Sequence, residues 1–336
     1  MTIESQCTEE FLMNVSTNTA GRAGRGTSRQ KAAIFGLAAV FASSLSGCSD
    51  RANAEVIRSE SRDVAGSSMP VACRPDGSAV PLPSQVKESS GLTQGRRDPS
   101  VFWTHNDAGN SPVLYAVSAG GDLRAQVEVT GANLEDWEDI ESGTCDLVDC
   151  LFVADIGDND AKRETITVYR VPEPSLKAVN SASASAIHAR YPDGPRDAEA
   201  MFVASGDIYI VTKGREGPIE LYRLPRNAKG VATLQKVREL FPKPKSKDDR
   251  VTSASSSPNS RWVGIRTYRT LYVFPSKALI DGDVAVPKSI EIDLSSVNEE
   301  KGEGLSLGND GSVWLASEAG KKSPPTLSKL SCDFGG

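Results

Sequence analysis

The stretch ITVYRVP at residues 166–172 combines β-branched and aromatic residues in the manner of a β-strand, and four variants of it occur elsewhere in the chain. The variants are PVLYAVS at 112–118, IELYRLP at 219–225, RTLYVFP at 269–275 and PTLSKLS at 325–331. The central residues of successive copies are 50 to 56 residues apart. A β-rich motif repeated at this period indicates the blades of a β-propeller rather than a sandwich.

Three further segments recur around each copy. A second strand precedes it at 101–105, 151–155, 208–212, 262–266 and 313–317. A segment of small residues, suited to the crowded inner strand beside a central channel, comes first at 90–92, 138–140, 199–201, 252–254 and 303–305. A variable fourth strand follows at 123–129, 185–191, 236–241 and 289–294. We therefore predict an all-β propeller of five four-stranded blades. Six blades remain the alternative, because 61 residues separate Ile140 from Met201.

The fifth blade ends after its third strand, so its outer strand must come from elsewhere. The segment 71–84 (VACRPDGSAVPLPS) can supply it, and such an exchange closes the ring and removes open sheet edges. This closure brings Cys73 beside Cys332. The remaining pair outside the N-terminal region, Cys145 and Cys150, brackets a short loop, which predicts a second disulfide. Zinc binding is the competing interpretation, but these four cysteines lack a second close pair.

The N-terminal region has the pattern of an export signal. Four basic residues lie between positions 22 and 31, and an apolar run of signal-peptide length follows at 32–45. The sequence Leu45-Ser46-Gly47-Cys48 then resembles the lipobox of bacterial lipoproteins, which implies cleavage before Cys48 and lipidation of its thiol, for example with palmitate. An ordinary signal peptide cut nearby is the alternative, and translation starting at Met13 instead of Met1 is a further one.

These patterns divide the chain into three parts. Residues 1–47 are the predicted signal peptide with its N-terminal extension, and residues 48–69 are a polar, flexible tether. Residues 70–336 are the propeller. We expect a monomer in the bacterial cell envelope, anchored to the membrane through its lipid and facing the extracytoplasmic side.

Composition excludes several classes of function. The net charge is −6, from 38 Lys plus Arg and 44 Asp plus Glu, which argues against a nucleic-acid binder. The 38% of hydrophobic residues is too low for a protein with many membrane spans. Only His105 and His188 are available for a His-rich zinc site or a Ser-His-Asp triad.

Polar residues converge on one face of the predicted propeller. In a four-stranded antiparallel blade, the loop between the second and third strands and the connection into the inner strand lie on the same face. Carboxylates cluster in these segments of blades 1 and 2, and cations in those of blades 3 to 5. Oxygen-rich clusters suit Ca²⁺ or Mg²⁺. We predict a divalent cation, Ca²⁺ in the first instance, surrounded by Asn106, Asp107, Glu138, Asp155 and Glu199. The alternative is that these residues only form turns and cap backbone amides.

The same face carries residues suited to contact a ligand. These are His105, Trp137, Lys213, Arg266 and Glu303. Each also has an ordinary structural role: a turn histidine, an inter-blade tryptophan, or a solvated charge. No catalytic residue is identified by the sequence.

The repeats are similar to those of extracytoplasmic bacterial propellers, including the NHL/TolB-like binding propellers and the gluconolactonase/paraoxonase-like hydrolases. The strings WTHNDAG (103–109), DWEDI (136–140), DIGDN (155–159) and DAEAM (197–201) also resemble those of secreted bacterial propeller proteins. In the lactonase-like families a Glu from an inner strand, with Asn and Asp from other blades, binds a metal. That resemblance implies such roles for Glu138 or Glu199, Asn106 and Asp155. Calcium-dependent propeller phytases are a further likeness.

Two functions follow as expectations. The first is a lipid-anchored propeller that binds a ligand or protein partner at its channel mouth, with a structural cation. The second is a metal-dependent hydrolase of a lactone, ester or phosphoester. Fold alone does not decide between them, because propellers serve both purposes.

Overall fold

The computed structural model describes residues 73–321 and 323–335. Within them the chain forms five antiparallel sheets arranged as the blades of a propeller. The predicted signal peptide, lipidation site and tether lie outside the described residues. In the part of the chain that the structure describes, no helix has the length and apolar character needed to cross a membrane.

The inner strands come from the predicted small-residue segments. They are β3 (Ser89–Gln94), β7 (Trp137–Cys145), β11 (Ala198–Ala204), β16 (Val251–Ser256) and β20 (Gly302–Leu307). Most of their residues are buried, because each strand is enclosed by its own blade and by its neighbours. The ring is closed by contacts between the inner strands of the first and fifth blades.

Each inner strand pairs with the second strand of its blade. The second strands are β4 (Val101–Asn106), β8 (Val148–Asp155), β12 (Asp207–Thr212), β17 (Trp262–Thr267) and β21 (Ser312–Ser317). The third strands contain the repeated motif and are β5 (Val113–Ser118), β9 (Ile166–Pro172), β13 (Ile219–Leu224), β18 (Thr270–Pro275) and β22 (Thr326–Cys332).

Outer strands complete the first four blades. They are β6 (Leu123–Glu128), β10 (Ser185–Arg190), β15 (Gln235–Phe241) and β19 (Ile290–Asp293). A short additional strand, β14 (Val231–Thr233), pairs in parallel with β10 and links the second blade to the third. A five-residue helix, α1 (Ser276–Ile280), and two short 3-10 turns (Lys247–Asp249 and Ser295–Val297) lie in connections.

The fifth blade is completed from the other end of the chain, as predicted. Strands β1 (Cys73–Pro75) and β2 (Val80–Pro81) both pair with β22. Cys73 lies directly opposite Cys332, and a disulfide joins them. The second predicted disulfide, between Cys145 and Cys150, spans the hairpin of β7 and β8. The prediction of five blades is confirmed, and the alternative of six blades is wrong.

The hydrophobic core is divided among the blade interfaces. Five clusters of buried side chains each combine residues from two adjacent blades. Trp103 and Trp137 are fully buried between the first and second blades, beside Tyr169 of the repeated motif. The repeated strands are therefore apolar because each blade buries one face against the next.

The propeller has two mouths, which define the faces used below. The upper face carries the loops between second and third strands and the connections into the inner strands. The lower face carries the hairpins between inner and second strands and the loops between third and outer strands. Between the two faces, Asp139 of β7 accepts hydrogen bonds from the amides of Ile140, Met201 and Ala254 at 2.9 to 3.0 Å. It thus joins the inner strands of three blades near the axis.

Candidate functional site

Three carboxylates meet at the upper face, in what we call the acidic triad. Asp107 follows β4, Asp136 precedes β7, and Glu138 is the second residue of β7. Each offers one carboxylate oxygen within a group whose members all lie within 4.8 Å of one another. Sequence reasoning included Asp107 and Glu138 among the cation ligands but not Asp136. The spacing could have identified it, because residues two apart in an extended chain point to the same side.

Glu138 is the most enclosed member of the acidic triad. Its exposed fraction is 5%. Among the described residues, no side chain or backbone group forms a hydrogen bond or ion pair with its carboxylate. Burial, followed by the negative charges of Asp107 and Asp136, raises the pKa of Glu138 well above its ordinary value. A buried acid without a partner is one that a bound cation would stabilise in its ionised form.

The two aspartates are less buried than Glu138, and their pKa values are raised as well. Burial raises the pKa of Asp136 to about 6, and the nearby charge of Asp107 contributes in the same direction. Burial also raises the pKa of Asp107. The Ala108 amide donates a 2.6 Å hydrogen bond to Asp107 Oδ1, which orients that carboxylate. The triad therefore resists full ionisation while no cation neutralises it.

The backbone at Gly157 leaves room for the acidic triad. A Cβ at this position would collide with Glu138 Oε1 and Asp136 Oδ2. Its amide donates a 3.2 Å hydrogen bond to the Asp136 carbonyl oxygen, so the loop after β8 lies directly against the triad. Gly157 does not have a positive φ. Glycine at this position therefore serves the close approach of the backbone to the two carboxylates rather than an unusual backbone conformation.

The other three predicted cation ligands are engaged elsewhere. The Asn106 side chain accepts a hydrogen bond from the Glu88 amide at 3.1 Å and donates one to the Gln85 carbonyl oxygen at 2.9 Å. Asp155 forms an ion pair with Arg163, with Nη1 and Oδ1 3.0 Å apart, and Glu199 forms one with Lys213. The structure thus brings together Asp107 and Glu138 of the predicted set, and adds Asp136.

Cations are interleaved with the carboxylates around the mouth rather than gathered over separate blades. Lys213 pairs with Glu199, and Lys301 pairs with Glu318 at 2.6 Å. Glu303 accepts a 2.8 Å hydrogen bond from the Tyr268 hydroxyl group. Burial, and then the charge of Glu318, raises the pKa of Glu303 to about 8. The expected separation of charges fails because carboxylates also lie over the third and fifth blades, where each of these lysines pairs with a carboxylate of its own blade.

The remaining residues proposed for ligand contact lie inside the wall. His105 is fully buried, its Nδ1 lies 3.1 Å from the Asn106 carbonyl oxygen, and burial lowers its pKa to about 4. Its ring packs edge-on against Trp137, whose Nε1 donates to the Asn133 carbonyl oxygen.

Arg266, the third of these residues, is also fully buried. It donates to the Gly304 carbonyl oxygen at 2.7 Å and pairs with Glu299 at 2.8 Å. These three side chains support the mouth from behind.

The fold and this face define a class: a five-bladed β-propeller with carboxylates concentrated at one channel mouth. No family model matches the sequence, and no curated protein matches it. The backbone is similar to that of the aldose sugar dehydrogenase of Streptomyces coelicolor, solved in its PQQ-bound form, with 8% sequence identity and a TM-score of 0.49. The alignment covers 78% of this chain and 98% of that one.

Proposed function

We propose that this protein is a lipid-anchored, extracytoplasmic binding propeller whose upper mouth holds a divalent cation, Ca²⁺ in the first instance, and through it a ligand or protein partner. The observation that carries the proposal is the acidic triad of Asp107, Asp136 and Glu138, whose oxygens lie within 4.8 Å of one another. The buried Glu138 carboxylate supports it, because no described residue forms an ion pair or hydrogen bond with that group.

The donor set fits a hard cation. Three carboxylates supply only oxygen ligands, which Ca²⁺ and Mg²⁺ prefer, and Ca²⁺ takes six to eight of them. A bound cation would supply positive charge and coordination positions open to oxygen atoms of a partner. The protein's own part is to hold Glu138 on a rigid inner strand and to keep position 157 free of a side chain.

Anchoring of this propeller to the membrane belongs to the same proposal. The lipobox-like sequence at Leu45 to Cys48 supports it, together with two disulfides, which form in oxidising compartments outside the cytoplasm. Mass spectrometry of the mature N-terminus tests it. An unmodified Cys48, or a mature chain that begins elsewhere, would contradict it.

Calcium titration of the purified propeller tests the cation site. We expect Ca²⁺ to raise the melting temperature of the wild type, because a ligand at 100 times its Kd stabilises the folded state by about 2.7 kcal/mol. The variants Glu138→Gln and Asp136→Asn should show a far smaller shift. Asp160→Asn is the matched control, since Asp160 lies on the same face, is highly exposed and, among the described residues, forms its ion pair with Lys162 alone.

Equal calcium-induced shifts in the wild type and in Glu138→Gln would refute the site. In the absence of calcium, Glu138→Gln should unfold at a higher temperature than the wild type, because the amide removes a buried group that repels two neighbouring acids. This second measurement shows whether the variant is folded.

A metal-dependent hydrolase is the second candidate. Hydrolysis needs a group that can exchange a proton with substrate or water, and a carboxyl group with a raised pKa is such a group. His105 is enclosed in the wall, but Asp136, whose pKa burial raises to about 6, lies at the mouth itself. A panel of lactones, esters and phosphoesters, assayed with and without Ca²⁺, decides between the two. Calcium-dependent turnover that Glu138→Gln abolishes would replace the binding proposal.

A further inference from the structure

The lower face contains a second polar site that the cation proposal does not use. Here the ends of all five inner strands surround a cavity of about 620 Å³, which we call the lower cavity. Its volume is in the range of small-molecule sites. Its floor includes Thr93, Glu141, Ser255, Ser256 and Ser306, one or two residues from each of four blades.

Glu141 is the informative residue of the lower cavity. Its exposed fraction is 2%, and its Oε1 accepts hydrogen bonds from the Ser256 amide at 3.2 Å and the Ser256 hydroxyl at 2.9 Å. Its Oε2 is buried and has no hydrogen-bond partner among the described residues. An unsatisfied buried polar atom of this kind costs free energy, so a hydroxyl group that reached it would be favoured.

Two hydroxyl groups near Glu141, those of Thr93 and Ser306, can each donate one further hydrogen bond. Thr93 Oγ1 accepts the Ser142 amide at 2.9 Å, and Ser306 Oγ accepts the Gln94 amide at 3.1 Å. Within the described part of the chain, neither hydroxyl has an acceptor for its own proton. Each is therefore fixed in position by a neighbouring blade and free to donate to a ligand oxygen.

Charge at the rim points to an acidic ligand. Arg96 pairs with Asp149 at 2.9 Å, whereas Arg226 donates to the Thr144 carbonyl oxygen at 3.0 Å and has no carboxylate partner among the described residues. Burial raises the pKa of Glu141 well above its ordinary value, which favours its neutral form. No aromatic side chain lines the described walls of the cavity, so a ligand that binds mainly by stacking fits poorly.

We propose that the lower cavity binds a small polyhydroxylated carboxylate, such as a sugar acid. Its hydroxyl groups pair with Glu141 Oε2 and with the hydroxyls of Thr93 and Ser306, and its carboxylate pairs with Arg226. This site lies on the face opposite the acidic triad and does not depend on a cation.

Calorimetric titration with D-gluconate and D-glucuronate, in the presence of EDTA, tests the proposal. The neutral sugar D-glucose serves as the comparison. We expect at least one sugar acid to bind, and glucose to bind about tenfold more weakly or worse, because it lacks the group that pairs with Arg226. EDTA removes divalent cations, so failure of the cation proposal would leave this result unaffected.

Variants locate the binding. Arg226→Gln and Glu141→Leu should each weaken sugar-acid binding at least about tenfold, whereas Glu141→Gln, which keeps a polar group at Oε2, should retain it. Arg124→Gln, on an exposed position of outer strand β6, is the control for loss of one positive charge. Far-ultraviolet circular dichroism checks that each variant is folded. The proposal is overturned if neither sugar acid binds with a Kd of about 1 mM or tighter, if glucose binds as tightly, or if folded Arg226→Gln binds like the wild type.

Discussion

Glu138 and Glu141 lie three residues apart on one inner strand, towards opposite mouths of the propeller. Both are buried, and neither has a basic side chain as an ion-pair partner among the described residues. They differ in what surrounds them: Glu138 faces two other acids, whereas Glu141 is held by the amide and hydroxyl of one serine. The first environment suits a cation, and the second suits a neutral acid that forms hydrogen bonds.

The pH dependence of stability tests the state of Glu141. Its folded-state pKa is raised, first by burial and also by Asp139, so the unfolded chain loses this proton at lower pH than the folded one. Its contribution to stability is therefore complete below about pH 4.5 and declines as pH rises towards the folded pKa, by up to about 1.4 kcal/mol per pH unit.

Glu141→Gln should remove this contribution, because its amide resembles the protonated acid and does not titrate. We expect the variant and the wild type to have similar free energies of unfolding at pH 5, and the variant to be the more stable one at pH 8. Asp139, Asp149, Arg96 and Arg226 are present in both proteins, so the difference isolates Glu141. Parallel curves in urea denaturation across this pH range would contradict the assignment.

At the scale of the strand, Asp139 shows how the inner strands are held in register. Its carboxylate accepts three backbone amides and the Ser253 hydroxyl, and these donors come from three blades. The neighbouring backbone at Gly91 lies so close that a Cβ would collide with Asp139. Inner strands whose edges face the axis cannot pair with one another as a sheet, so a side chain satisfies their amides instead.

Asp139→Ala should destabilise the fold by at least about 3 kcal/mol, because it leaves three buried amides without an acceptor, each costing roughly 1–3 kcal/mol. Asp283→Ala, at an exposed position in the loop after α1, should change stability by less than about 0.5 kcal/mol. Guanidinium denaturation of both variants measures the difference. Similar midpoints for the two would show that water replaces the carboxylate at little cost.

The sequence alone predicted the recurring strands of the blades, but it did not predict the partners of the charged side chains at the mouth. The repeated motif predicts the blades because each copy buries its apolar residues in the same interface, and Tyr115, Tyr169 and Tyr222 all lie in such clusters. The residues that would bind the cation were harder to predict. Glu199 has the same residue type and inner-strand position as Glu138, yet Lys213 pairs with it. Asp155, at the end of a second strand, pairs with Arg163. Arg163 lies in the loop that follows Asp155, and Lys213 directly follows the strand that pairs with that of Glu199. The choice of partner depends on the conformation of long side chains, which residue spacing alone does not give.

The lower cavity was missed for a related reason. Serine and threonine at the end of an inner strand are ordinary small residues in a crowded position. Their grouping around Glu141 arises only when all five inner strands converge. The composition of one strand carries no sign of it.

At the scale of the whole molecule, the Cys73–Cys332 disulfide joins residues separated by 259 positions, whereas Cys145–Cys150 spans five. A disulfide restricts the conformations of the unfolded chain, and it stabilises the folded state more when the loop that it closes is longer. Replacing Cys73 and Cys332 by serine should therefore lower the free energy of unfolding by roughly 2–5 kcal/mol. Replacing Cys145 and Cys150 by serine is the matched comparison and should have a smaller effect. Equal losses, measured by urea denaturation, would contradict the expectation that the disulfide closing the longer loop stabilises the fold more.

The closing of the fifth blade by β1 also has a consequence for biosynthesis. Cys73 and its strand are made early, but their partner β22 is the last strand of the chain. At 5–20 residues per second, roughly 13–50 s pass between synthesis of the two cysteines. For most of that interval, once Cys145 and Cys150 have been made, they are available to Cys73 and Cys332 does not yet exist. Folding of this protein therefore calls for thiol–disulfide exchange, or for a delay in oxidation until the C-terminus has emerged.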